Sequence, residues 1–85
     1  MKIIERVKAR IEEHRFNGSS AFLAMALASA CNSQYKISLI DASVKLDGEA
    51  KDMLWQLANI AQQPDFSNRD QSLALTWLRD NEFID

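Results

Sequence analysis

The 85-residue chain has one cysteine, one proline, two glycines and one histidine. A single cysteine closes no intrachain disulfide, and with a single histidine it cannot build a cysteine-rich zinc fold. Two glycines exclude a collagenous chain, and a long β-meander would need more turn residues than two glycines and one proline provide. Gly18 and Gly48 stand outside any G-x-G-x-x-G or P-loop pattern, so the backbone cradle that holds a nucleotide phosphate is missing. A net charge of −2 removes the non-specific attraction to phosphate on which most nucleic-acid binders rely. The longest unbroken apolar run, Ala21 to Ala28, is far short of the roughly 20 residues that span a bilayer. The start, Met1-Lys2-Ile3-Ile4-Glu5-Arg6, mixes charge into its first turns as no secretory h-region does. A cytoplasmic protein without membrane contact is the expectation.

What the chain does have is an ordinary globular composition, 47% hydrophobic and 26% charged residues, which argues against intrinsic disorder. At 9.7 kDa a folded monomer exposes ~5,100 Å² where the unfolded chain exposes ~14,000 Å², enough burial for one core. One domain over residues 1–85 is expected, with no linker, repeat or low-complexity stretch to divide it.

The periodicity is helical. Ile3, Ile4, Val7 and Ile11 line one face of a first helix up to Phe16, and Asn17-Gly18 reads as its stop. Ser19 or Ser20 is then placed to cap a second helix over Ala21–Cys31. That segment is apolar all round except for Ser29, which marks it as buried, and its five alanines let neighbours approach closely. Tyr35 to Leu39 alternates like a short strand, but a lone strand has no partner here. The spacing Ser38-x-x-Asp41 resembles a capping box, so an extended stretch at 35–37 followed by a helical turn or two is expected. Asp47 caps a longer helix to Gln63, ended by Pro64, with Ala50, Met53, Leu54, Leu57, Ile60 and Ala61 on its apolar side. Ser67-x-x-Asp70 repeats the start signal for a last helix over 68–81, with Leu73, Ala74, Trp77 and Leu78 on one face and Glu82 to Asp85 as a tail. The fold class is all-α: a bundle of about four helices around an alanine-rich centre, with a short irregular or extended segment near 35–46.

Chemistry is scarce. His14 follows Ile11 along the apolar stripe and lacks the partners that a metal or general-base role would need, so it reads as a boundary residue. Cys31 reads as a small buried hydrophobe, and nothing orients a Cys31–His14 pair. The acidic pairs Glu12-Glu13, Glu49 with Asp52, and Asp80 with Glu82 fall on solvated helix faces, without the burial that separates catalytic carboxylates. No enzyme activity, cofactor, metal or small-molecule substrate is indicated. Charge is uneven: residues 1–15 hold five bases against three acids, net +2, and 64–85 two against five, net −3. Lys2, Arg6 and Arg10 form an i, i+4, i+8 row that could touch phosphates, or be a solvated flank continued by Glu13. Trp55 and Leu75 fall outside their helices' apolar stripes, and large apolar side chains off the stripe concentrate at interfaces.

Gly18 before the run Ala21-Phe22-Leu23-Ala24-Met25-Ala26-Leu27, then Asn32, Tyr35, Leu39, Asp41 and Leu46-Asp47, resembles uncharacterised small helical proteins of phage, prophage and plasmid sequences. The likeness covers about half the chain, and the apolar run here lacks the tryptophan that the pattern carries near its end. It implies a bacterial mobile-element setting and no particular activity. The functional expectation is a non-enzymatic protein-interaction module, as a homodimer or with another protein, through Trp55 and Leu75. The alternative is a nucleic-acid accessory protein using Lys2, Arg6 and Arg10.

Overall fold

The computed structural model describes residues 2–14, 18–32, 34–60 and 67–84. Among them run five helices and no strand: α1 (Lys2–Glu13), α2 (Gly18–Cys31), α3 (Leu39–Lys45), α4 (Gly48–Ala58) and α5 (Asn68–Asp80). The all-α class is as expected. The count is five rather than about four because Ser38 opens a helix of its own, its hydroxyl accepting from the Asp41 amide at 3.4 Å. Residues 35–38 are irregular. Tyr35 and Ile37 pack against the core from there, which explains their alternation without a strand.

α2 is the centre, and α1, α3, α4 and α5 all pack on it. An apolar helix with no polar face is stable only when covered on every side. Leu23 and Leu27 are fully buried, and Ala24, Ala26 and Ala28 are buried with them. Truncating either leucine to alanine should cost about 3–5 kcal/mol, a large share of what a small domain has. Gly18 is the first residue of α2 rather than a stop after α1, and it has no positive φ. Ser19 and Ser20 are buried inside the helix rather than capping it. The Ser20 hydroxyl donates to the His14 carbonyl at 2.7 Å, so a buried polar group has its partner.

α4 begins as expected, with Asp47 Oδ1 accepting from the Ala50 amide at 2.9 Å. It ends at Ala58, short of the expected Gln63. The Asn59 amide donates to the Gln56 carbonyl, and its side-chain Nδ2 donates to the Trp55 carbonyl at 2.8 Å, satisfying backbone acceptors of the last turn. Ala61, Gln63 and Pro64 lie outside the described residues.

α5 opens with the full capping box of Ser67 and Asp70. On it Ala74 and Leu78 are buried, Leu75 and Trp77 half-buried, and Leu73 is 53% exposed. The core face is therefore centred on Ala74 and Leu78, with Trp77 packed against the core as expected and Leu75 packed there in place of Leu73, which lies outside it. Residues 82–84 are not a loose tail. Glu82 takes φ 64°, its amide donates to the Arg79 carbonyl, and the Phe83 amide donates to the Leu78 carbonyl at 2.9 Å. These are the two bonds of a Schellman C-cap. The reversal stacks Phe83 on Trp77, ring centres 6.2 Å apart, and buries Ile84.

Candidate interaction surface

Two of the three bases in the α1 row have partners within the fold, Arg10 at a largely covered position and Arg6 at an exposed one. The Arg10 guanidinium, 13% exposed, donates to Asp47 Oδ2 at 2.9 Å and lies 3.3 Å from Glu49 Oε1. Arg6 Nη1 donates to Gln56 Oε1 at 3.3 Å. Lys2 is the first residue of α1, and its side chain lies outside the described ones. Arg10 thus ties α1 to the start of α4. Asp47 is held below the usual carboxylate range, first by the Ala50 amide and then by Arg10. Nearby on α1, Lys8 Nζ sits 5.6 Å from the centre of the Trp77 ring, a cation–π distance.

The sites of conceivable chemistry stay apart. His14 is exposed rather than at the edge of the core, with Nε2 3.9 Å from Glu13 Oε1. Its carbonyl is bonded to Ser20, and the eleven residues from Ser20 to Cys31 span ~16 Å of helix at 1.5 Å each. Burial pushes the Cys31 thiol up to about 11, so at neutral pH it carries no thiolate and is a poor nucleophile. Among the described residues no group of three or more His, Cys, Asp or Glu side chains could hold a metal ion. No helix there is long and apolar enough to cross a membrane.

The surface that departs from ordinary burial is apolar. Trp55 is 69% exposed, and α3 carries three large aliphatics facing water: Leu39 at 76%, Ile40 at 74% and Val44 at 80%. Leu75, the other expected surface residue, instead packs half-buried against the core. The cause in α3 is its register. Ala42 and Leu46, four apart, are the buried pair, and at 100° per residue Ile40 and Val44 form a second i, i+4 pair on the opposite side. The helix is anchored by one alanine and the residue after its end, and its bulky ridge points outward. Asp41 and Lys45 stand exposed along one flank of that ridge.

Beside α3 runs a groove of about 360 Å³ between α2, the 37–39 segment and α4, lined by Ala26, Ala30, Ile37, Leu39, Leu54 and Ala58 among others. Ser29 is the one polar side chain in its wall. Without convergent polar groups the groove can hold an apolar side chain but cannot orient a reacting substrate. Trp55 is not part of the wall but stands one i, i+3 step from Ala58 on α4. The opposite flank of α4 faces α1 through Gln56. Leu39, Ile40 and Val44 were not singled out from sequence, although the two i, i+4 pairs, Ala42/Leu46 and Ile40/Val44, signal a helix with apolar residues on both faces. No protein-family model matches the chain, and neither a curated protein nor a solved structure matches it.

Proposed function

We propose that the chain is a non-enzymatic protein-interaction module that docks a protein partner on the outward ridge of α3, with Leu39, the adjoining groove and Trp55 extending the contact. The bacterial cytoplasm and a mobile-element setting are part of this reading, the latter resting on the sequence resemblance. The observation that carries it is the exposure of three large aliphatics, each above 70%, on a single seven-residue helix. A surface helix turns its large apolar side chains to the core and polar ones to water, and the largest apolar patch on a monomer, ~300–600 Å², is often functional. The engagement of Arg6 and Arg10 with Gln56, Asp47 and Glu49 weighs against phosphate contact by that row.

The test is a pull-down from the native host with the wild-type chain and with Ile40→Ser/Val44→Ser. Both changes sit in water-exposed positions, so thermal stability should move by no more than about 0.5 kcal/mol per site. Partner capture should fall at least tenfold. Undiminished capture by the folded double variant would remove the surface from consideration.

A further inference from the structure

We infer that the partner on α3 is a second copy of this chain, paired antiparallel, α3 against α3, about a two-fold axis close to Ser43; this rests on the docking surface proposed above. Charge distribution selects the orientation. Asp41 and Lys45 lie on the same flank of the ridge, both exposed, and neither forms an ion pair among the described residues. Parallel pairing about an axis along the helices would set the charged flank of each copy against the Ser43 flank of the other, leaving Asp41 and Lys45 without an opposite charge across the contact. An antiparallel pair centred on residue 43 brings Asp41 of each copy level with Lys45 of the other, twice. That is the self-complementarity an isologous contact requires.

The same register packs the ridge. With a rise of 1.5 Å per residue, residues 40 and 44 of the two copies fall at successive ~3 Å steps in the order Ile40, Val44, Val44, Ile40, so each Val44 drops between two of the partner's side chains and each Ile40 closes an end of the row. The exposed fractions of Leu39, Ile40, Val44 and Trp55 amount to roughly 350 Å² of apolar surface per copy at common side-chain areas. A standard interface needs ~800 Å² per partner, about 65% of it apolar in homodimers. The four residues thus provide roughly two-thirds of the apolar part, with the groove rim available for the rest. A net charge of only −2 opposes association of two copies weakly.

Sedimentation of the full chain from about 1 μM to about 1 mM should show the mass rising from one chain to two. Asp41→Lys and Lys45→Asp should each raise the dimer dissociation constant about tenfold or more. An equimolar mixture of the two should pair more tightly than either alone, because both cross-contacts become attractive again. Since charge reversal in so short a helix can loosen it, Ser43→Cys supplies a second measurement. A short bis-maleimide should link two copies through position 43 and not through Glu12→Cys, on the exposed side of α1. A monomer throughout the range, or dimers with no 43-to-43 link, would overturn the pairing. A monomer whose capture of a host protein is lost in Ile40→Ser/Val44→Ser would overturn the pairing and leave the docking surface standing. A monomer without such capture would overturn both.

Discussion

Glu82 is the residue whose replacement should make the protein more stable. Among the described residues it alone, glycine aside, has a positive φ, 64°, because the Schellman turn after α5 requires a left-handed residue at that point. An L-residue there costs roughly 1–2 kcal/mol, whereas glycine adopts the conformation freely but gives up about 0.5–1 kcal/mol of unfolded-chain entropy. The balance for Glu82→Gly is a gain of about 0.5–1 kcal/mol. For a chain of this size that is a rise in Tm of roughly 2–8 °C. Glu82 is also an exposed acid at a helix C-terminus, where negative charge is mildly unfavourable. Glu82→Gln isolates that contribution, which should be worth well under half of the glycine effect. A β-branched residue is the least tolerant of positive φ, so Glu82→Val should melt below the wild type. Thermal unfolding followed by circular dichroism should give the order Gly, Gln, Glu, Val from most to least stable. A glycine variant no better than Gln, or a valine variant as stable as the wild type, would mean that the turn does not carry Phe83 and Ile84 back onto the core.

The two tryptophans should separate. Trp77→Ala, which removes a half-buried ring stacked on Phe83 and lying under Lys8, should cost about 2–4 kcal/mol in thermal melts, and Trp55→Ala within about 1 kcal/mol. The carboxyls of Asp47 and Asp70 are both held low in the folded chain, Asp47 first by the Ala50 amide and Asp70 first by the Ser67 amide. The folded state therefore binds fewer protons than the unfolded one near their ordinary value of ~3.9. Their contribution is fully present above that pH and is lost as pH falls through the lower folded values. Denaturant midpoints should drop from pH 5 towards pH 2, and Asp47→Asn/Asp70→Asn should flatten that slope. Cys31, buried and with its thiol raised to about 11, should react with iodoacetamide at neutral pH only at the rate of global opening, and at the rate of a free thiol in denaturant.

The helix starts were legible because capping is local chemistry. Ser38, Asp47 and Ser67 each place an oxygen three residues before an amide that needs it, and all three open helices. The burial of α2 was legible for a similar reason, since a helix with no polar face has one stable environment. The face of α5 was not. Stripes through 73, 74, 77 and 78 and through 74, 75, 77 and 78 share Ala74, Trp77 and Leu78 and differ only in whether Leu73 or Leu75 is covered by a neighbour. The partner of Arg10 escaped for the same cause. The excess of base near residues 1–15 does not say which acids it will meet, and Arg10 meets Asp47 and Glu49 at the start of α4. Neither periodicity nor net charge encodes which helix ends come together. The outward ridge of α3 was hidden because seven residues are too few for a stripe to declare its direction.

Since the other four helices all rest on α2, its burial and theirs are made and lost together. The chain should consequently behave as one cooperative unit. Backbone amides in the middle of α2, around Leu23 to Leu27, open to deuterium exchange only when everything opens. α3 is the exception, with Ala42 its one buried residue and Leu46 buried just after its end, so it should detach and reseat while the rest stays folded. In the free chain its amides belong to the fast-exchanging class, and whatever covers the ridge slows them by its own binding free energy. The helix with the weakest hold on the fold is thus the one whose order a partner can control.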